Sequence, residues 1–449
     1  MTDTPRLRIP HPLVLLLGCV VLAAAASWVV PAGSFERVVD DSTGRTVVVA
    51  GTYEPVEPSP VGLFDAMVAL PRGMADSADV IFLIFLIGGA FTVVDETGTL
   101  RRAVAWLVRS LHGRDLMVVP LVSLLFAAGG ALQNLQEEII ALIPVLLVLT
   151  RRLGFTPMVA VSMSAGSAFV ASAFSPMNPF QVQIAQRLAD VPLLSGWAFR
   201  SSFLVLALVL WIGVTMRHAA ATRGDVRTDD VVEEDDMAAG DWGVLALVGL
   251  TFVVLVWGLL TQGWDFDRMS ALFFVMGTVV GLLAGLGVTG TADAYVKGFR
   301  EMAYAALLVG FARAIFVVLQ DGRIVDTLVH GMFTPLEGLP TLASALGMVG
   351  AQALIHVPVP SVSGQAVLTM PVLIPLSDLL GMSRQVTILA YQYGAGLCDL
   401  VTPTNGALMA ILATAGVRYE EWLRFVAPLY AALVVLGAVS IAIGLAVGF

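Results

Sequence analysis

The sequence predicts an all-α polytopic membrane protein made of two inverted repeats, each with a re-entrant helical hairpin and a broken transmembrane helix. Three observations lead there. Of 449 residues, 58% are hydrophobic and 13% charged, where a soluble domain carries roughly 25% charged residues. Apolar runs of membrane-spanning length recur along the chain. The second half also repeats the first at a constant offset of 227 residues, seen for example in Pro144 and Pro371.

The first apolar run, Leu13 to Val30, follows Arg6 and Arg8 and ends at Pro31-Ala32-Gly33-Ser34. It is longer than a signal-peptide core and suits a span, so a retained helix is predicted over 12–31. Further full-length spans are predicted over 78–95, 198–217, 241–260, 269–288, 303–319 and 425–447. Four apolar segments are shorter: 116–131, 137–150, 338–355 and 364–378. At 1.5 Å per residue they reach roughly 21–27 Å, short of the ~30 Å hydrocarbon core. The first pair is joined by Gln133-Asn134-Leu135-Gln136-Glu137-Glu138, the second by Pro358-Val359-Pro360-Ser361-Val362-Ser363-Gly364-Gln365. Each pair reads as a hairpin that enters and leaves by one face of the membrane.

Segments 157–189 and 384–415 are long but interrupted, at Ser175-Pro176-Met177-Asn178-Pro179 and at Thr402-Pro403-Thr404-Asn405-Gly406. Irregular backbone at membrane depth survives only against protein or a wet cavity. The offset pairs these breaks, because Pro176 meets Pro403 and Asn178 meets Asn405, and Leu153-Gly154 meets Leu380-Gly381. An ordered series of Pro, Gly, Pro and Asn at one offset is a stronger signal than matched apolar residues.

If the N-terminus is cytoplasmic and the hairpins do not cross, the repeats run in opposite senses. Hairpin 1 then opens to the cytoplasm, hairpin 2 to the periplasm, and the C-terminus ends outside. This orientation puts more Lys and Arg on the cytoplasmic side, as the positive-inside rule requires. Segments 62–76, 98–112, 290–302 and 322–333, of mixed charge at helical spacing, are expected to be interfacial helices. Arg101, Arg102, Trp106 and Arg109 illustrate the second. The expected organisation is an N-terminal half over 1–217 with its repeat from about 62, an acidic cytoplasmic linker over 218–240, and a C-terminal half over 241–449 with its repeat from about 289.

Net charge is −10, with much of the acid in Val39 to Glu57 and Asp225 to Asp236, and no basic stripe suggests nucleic acid. Cys19 and Cys398 both lie in apolar segments and read as packing residues. Five scattered histidines argue against a zinc site. No Gly-x-Ser-x-Gly elbow or paired His/Asp motif points to an enzyme.

A helix that starts inside the membrane presents unsatisfied N–H groups and partial positive charge, and one that ends there presents carbonyls. Asn178-Pro179 fits an N-cap and first helical position. Asn405-Gly406 is a weaker version, and Ser361 or Ser363 could cap the second arm of hairpin 2. Such ends can hold an anionic group and a small cation, or they can be kinks satisfied by neighbouring helices. Glu137 and Glu138 are costly to bury, so they bind a cation, proton or amine, or else cap a helix. Arg313, inside a span, receives a substrate carboxylate or pairs with one of these glutamates. His356 gates or titrates, or is structurally satisfied. Gln365, Thr369, Gln392, Tyr393 and Asp399 are the other polar residues of this region. The substrate set is Asn134, Glu137, Glu138, Asn178, Ser361, Ser363, Gln365, Thr404, Asn405 and Arg313. Candidate sodium ligands are Ser175, Asn178, Asp399, Thr402 and Asn405.

Ser361-Val362-Ser363-Gly364-Gln365-Ala366, Thr369-Met370-Pro371, Pro375-Leu376-Ser377-Asp378 and Arg384-Gln385 resemble the second hairpin of the YfcC family. That family belongs with the C4-dicarboxylate anaerobic carriers (DcuC-like) of the ion transporter superfamily. Pro403-Thr404 and Trp422 continue the likeness. So do Pro31-Ala32-Gly33, Val61-Gly62-Leu63-Phe64-Asp65, Gly88-Gly89-Ala90-Phe91, Glu137-Glu138, Asn178-Pro179-Phe180 and Ile184-Ala185-Gln186. The likeness spans the chain apart from the linker. It implies a multi-pass carrier of the cytoplasmic membrane and, by analogy with INDY-type carriers, scaffold and transport parts, an elevator motion and a homodimer. The sequence departs from that pattern at three places. Gly394-Ala395-Gly396 replaces an expected Gly-Asp-Gly, and His356 and Asp399 stand where Asn is expected.

Together the readings predict a secondary active transporter of a small carboxylate-bearing solute, a dicarboxylate or related organic anion, driven by sodium or protons. No cofactor is expected beyond a bound Na+. An amino-acid exchanger, for a basic amino acid or a peptide, is the alternative, and an ion channel a distant one.

Overall fold

Helices dominate because the apolar runs are rich in Leu, Ala, Val and Met, and a bilayer leaves backbone groups no partner outside the segment. The computed structural model describes residues 11–40, 45–49, 51–99, 102–103, 106, 115–224, 237–262, 264–336 and 338–449. The acidic stretch 225–236 and most of the interfacial helix expected over 98–112 lie outside the described residues.

Helix α1 (Pro12–Ala26) stops short of the expected 31. There Ser27 Oγ donates to Ala24 O and accepts the amide of Val61. Two antiparallel strand pairs follow, against the all-α expectation. β1 (Gly33–Ser34) pairs with β4 (Glu54–Pro55), and β2 (Arg37–Asp40) pairs with β3 (Arg45–Val48) in the register Arg37↔Val48 to Asp40↔Arg45. Valines and a threonine favour this pairing, a signal masked by the segment's acidity.

Helices α2 (Leu63–Asp76) and α3 (Ala78–Glu96) match expectation. Next come α4 (Val118–Gln133) and α5 (Glu137–Arg152), joined by three residues. The first interrupted helix is α6 (Pro157–Ala173), with a π-helical turn at Ser162–Gly166. After the break the chain resumes at Pro179–Gln183 and continues as α7 (Ile184–Leu188), followed by α8 (Trp197–Ala221).

The second half contains α9 (Ala239–Gln262), α10 (Phe266–Leu283), α11 (Gly287–Asp321) and α12 (Val325–Phe333). Helix α11 merges the interfacial helix expected over 290–302 with the span expected over 303–319. Its 35 residues reach about 52 Å. The expected boundary rested on Lys297, Arg300 and Glu301, and charge does not break a helix as proline does. Then follow α13 (Thr341–His356), α14 (Val362–Leu379), α15 (Arg384–Gly396), α16 (Gly406–Ala415) and α17 (Tyr419–Val447).

Among the described residues, seven helices are long and apolar enough to cross a membrane. The protein is a multi-pass membrane protein. Asp115–Leu132 and Val362–Leu379, expected as hairpin arms, are two of the seven at 18 residues each.

Packing pairs the segments that the sequence offset matches. The first arm of each expected hairpin lies along the interrupted helix after it, α4 on α6 and α13 on α15. The second arms cross over, so that α5 meets α16 and α14 meets α7. Around them α3 packs on α10 and α11, and α11 on α1 and α2. Small residues permit this closeness: a Cβ on Gly130 would lie 2.1 Å from Ala168 O. Two fully buried tryptophans close the core beside the interruptions. Trp211 Nε1 donates to Ser162 O, at the π turn, at 2.9 Å, and Trp422 Nε1 to Leu400 O at 2.7 Å.

Candidate functional site

Local hydrogen-bond chemistry builds the first interruption. Asn178 is an N-cap whose Oδ1 accepts the amides of Phe180 and Gln181 at 2.9 and 3.0 Å, with Pro179 next. This satisfies donors that lipid would leave orphaned. Its Nδ2 donates to Gly130 O at 2.8 Å and to Ser172 Oγ at 3.0 Å. Ser175 Oγ donates to Ala131 O and accepts the amides of Met177 and Asn178. Gln392 Nε2 reaches across from α15 to Ser175 O at 2.8 Å.

At the second interruption Asn405 caps α16 by accepting the Leu408 amide at 3.0 Å. Its Nδ2 donates to Asp399 Oδ1 at 2.7 Å. Thr404 Oγ1 donates to Val357 O at 2.6 Å, tying this break to the α13–α14 tip. Ser361 caps α14 by accepting the Gly364 amide at 3.2 Å.

The tip between α4 and α5 joins the two breaks. Asn134, in the left-handed region (φ 58°) that Asn tolerates, accepts Gln181 Nε2 at 3.0 Å and the Ser172 hydroxyl. Gln136 turns the other way and donates to Asp399 Oδ2 at 2.8 Å.

The two glutamates at this tip differ. Glu138 Oε2 accepts the Gln136 amide at 3.1 Å and acts as a cap. Glu137 accepts from no other described residue and belongs to no salt bridge among them. Both line a cavity of about 1150 Å³, together with Asn134, Arg313, Ser361, Ser363, Thr404 and Asn405. Asn178 and Gln365, also expected to bind substrate, are fully buried and do not line it.

One expectation changes. Arg313 does not pair with Glu137 or Glu138. Its Nε lies 3.6 Å from Asp76 Oδ2 and its guanidinium 5.0 Å from the Phe316 ring centre, because its face of α11 meets α2. The expected sodium ligands fall at the two breaks. Ser175 and Asn178 belong to the first break, and Asp399, Thr402 and Asn405 to the second. The hydroxyl of Ser175 and the amide oxygens of Asn178 and Asn405 are taken up by backbone N–H groups. Both oxygens of Asp399 accept side-chain donors. Among the described residues no group of three or more His, Cys, Asp or Glu could hold a metal ion.

Sequence reading missed two partners. Gln136 stood in the tip but was not singled out, although it connects residues 263 apart. His356, fully buried, meets Asp399 Oδ1 through Nε2 at 3.0 Å and Gln365 Oε1 through Nδ1 at 3.1 Å. His356 and Asp399, two of the three places that depart from the family pattern, are thus in contact.

Apolar helices around a cavity that carries carboxylate, amide and hydroxyl side chains in its wall, with two helices interrupted and capped there, define a membrane-embedded secondary transporter. The chain belongs to the C4-dicarboxylate anaerobic carrier family, whose model matches residues 9–446. It is 31% identical to the "Putative basic amino acid antiporter YfcC" of Escherichia coli K12, over 98% of this chain and 96% of that one. It is 26% identical to an uncharacterized protein of Haemophilus influenzae Rd, over 97% and 96%. Among solved structures it is similar to the YdaH transporter of Alcanivorax borkumensis (18% identity, TM-score 0.46, 98% of this chain and 99% of that). A second is MtrF of Neisseria gonorrhoeae, one of a class of antimetabolite efflux pumps (17%, 0.45, 98% and 96%).

Proposed function

We propose that this transporter is a secondary active carrier of a small carboxylate-bearing solute that also carries an amine, an amino acid, exchanged across the cytoplasmic membrane. One observation carries the reading: Glu137 stands at the cavity wall without a cationic partner among the described residues, beside Glu138 and Asp399. A cationic group of the cargo would offset the cost of that carboxylate in a low-dielectric setting. The cargo carboxylate would meet Arg313 or the capped start of α14 at Ser361 and Ser363, with Asn134, Thr404 and Asn405 completing the wall. Asn178 and Gln365 hold that wall in place. The name of the Escherichia coli relative agrees with an amine-bearing cargo.

The same proposal covers architecture. Residues from about 62 to 217 and from about 289 to 449 form two inverted repeats, joined by the cytoplasmic linker 218–240, within halves 1–217 and 241–449. The N-terminus is cytoplasmic and the C-terminus outside. The reciprocal crossing of α5 with α16 and α14 with α7 supports this pseudo-symmetry. The re-entrant reading of α4–α5 and α13–α14 rests on their capped polar tips at the cavity, since two of the four arms are long enough to span. The hairpins and interrupted helices would move as one body past α1, α2, α3 and α11, in elevator fashion, in a homodimer.

A dicarboxylate is the second reading, favoured by Arg313 on the cavity wall and by the family model. Counterflow in proteoliposomes decides. Radiolabelled L-arginine should exchange for internal L-arginine, and succinate should not compete. Counterflow of succinate with none of L-arginine would reject the amino-acid reading. A conductance without saturable exchange would reject the carrier in favour of a channel.

A further inference from the structure

We propose that Arg37 and Arg323 form a second cargo-binding site, at the strand end of the cavity, which takes the cargo carboxylate apart from the acidic groups around Glu137. The site rests on the amino-acid cargo proposed above.

The strands bring the first arginine to the cavity. β1 packs on α12, and β3 packs on α14. Gly33 N donates to Arg323 O at 3.0 Å, and Phe35 N donates to Asp326 Oδ2 at 3.0 Å. The Tyr53 ring stacks on His330 with centres 4.2 Å apart, and its hydroxyl meets Thr327 Oγ1 at 3.0 Å. Arg37, two residues after Phe35, lines the cavity with its side chain 43% exposed. Its Nη2 donates to Asp326 Oδ1 at 2.8 Å, and its Nη1 to Phe35 O at 3.1 Å and Ser34 Oγ at 3.5 Å. A guanidinium has five N–H donors. Two of these, the Nε–H included, have no acceptor among the described residues, and such donors suit a carboxylate.

The charges at this end favour an anion. Arg323, held at φ 52°, is exposed, lines the cavity and forms no ion pair among the described residues. Two arginines therefore stand beside one aspartate. The Asp326 side chain is only 5% exposed, and both its oxygens accept hydrogen bonds. What this end displays to the cavity is guanidinium. The other charges are placed elsewhere. Arg313 sits against Asp76. Asp265 accepts the Arg268 amide at 3.1 Å at the start of α10. Glu138 and Asp399 both bond to Gln136, next to Glu137.

Helix α11 measures the separation of the two ends. Val309, Arg313, Phe316 and Gln320 all line the cavity, at the spacing of one helical stripe. Val309 touches the second break, where a Cβ on Gly406 would lie 2.9 Å from Val309 Cα. The helix ends at Asp321, two residues before Arg323. From Val309 to Asp321 it rises about 18 Å. One amino acid does not bridge that length, so the arginine end and the acidic end bind separate molecules.

Equilibrium dialysis of detergent-purified full-length protein tests this, with radiolabelled L-arginine and radiolabelled agmatine, which is L-arginine without its carboxylate. The wild type should bind two molecules of L-arginine per chain and one of agmatine. Arg37→Gln should bind one of each, and its retained agmatine shows an intact cavity. Arg37→Lys, which keeps the charge, should retain the second L-arginine. Asp326→Asn keeps an oxygen for the Phe35 amide and withdraws the competing charge, so it should tighten the second site. If the ion pair only fixes the strands, Asp326→Asn will instead lose the second L-arginine as Arg37→Gln does, and the site is overturned. If Arg37→Gln does not fold, Arg323→Gln decides, because its backbone carbonyl still serves Gly33; it should weaken the second L-arginine about tenfold or more. Agmatine binding together with a single L-arginine, unchanged in Arg37→Gln, overturns the second site and leaves the cargo reading standing. No binding of either compound by the wild type overturns both.

Discussion

Replacing Asn178 with alanine tests whether a helix end inside this protein is held by its own cap. The side chain is fully buried and makes four hydrogen bonds, two accepted from the amides of Phe180 and Gln181 and two donated to Gly130 O and Ser172 Oγ. Loss of an N-cap alone costs about 0.5–2 kcal/mol. At a surface, water would take over the freed amides. Here they stay buried, and each orphaned group adds about 1–3 kcal/mol where nothing replaces the partner. Because the cap term and the first orphaned amide describe the same bond, the expected loss for Asn178→Ala is about 3 kcal/mol. Asn178→Ser keeps a capping oxygen but cannot reach Gly130 O, so it should lose about half as much. Unfolding by titration of a denaturing detergent, read by tryptophan fluorescence, measures both. A loss below about 0.5 kcal/mol for Asn178→Ala would show that neighbouring helices, not the cap, satisfy this break.

Other outcomes follow from single contacts. Gly130→Val should destabilise by about 2 kcal/mol or more by the same assay, because even a Cβ there meets Ala168 O at 2.1 Å. Gly249→Ala, with open space around it, should be neutral or stabilising by up to about 1 kcal/mol. Trp211→Phe removes the bond to Ser162 O at the π turn and should cost about 1–2 kcal/mol. Glu137→Gln should lower L-arginine counterflow about tenfold or more, the worth of one charge-assisted contact. Glu138→Gln, which keeps an oxygen for the Gln136 amide, should have the smaller effect. Equal losses in the two variants would refute the division of labour between them.

What the sequence by itself determined is local. The caps at Asn178, Asn405 and Ser361 were legible because a cap is a bond between a side chain and an amide two or three residues on, so residue type and spacing suffice. The interruptions were legible for the same reason, as proline removes a donor and clashes with the preceding turn. Only the tertiary structure decided which distant groups meet. Arg313 could have faced either glutamate, and the crossing of α11 with α2 put it beside Asp76 instead. Gln136, His356 and Asp399 are separated by up to 263 positions, and no periodicity or motif encodes their approach. The strands between Gly33 and Pro55 were hidden because extended pairing draws on a partner strand rather than on a residue's own neighbours. Hydrogen bonds confined to one turn are written in the order of the residues. Those that cross between helices depend on how whole elements pack, and at this cavity they include every contact the proposed chemistry uses.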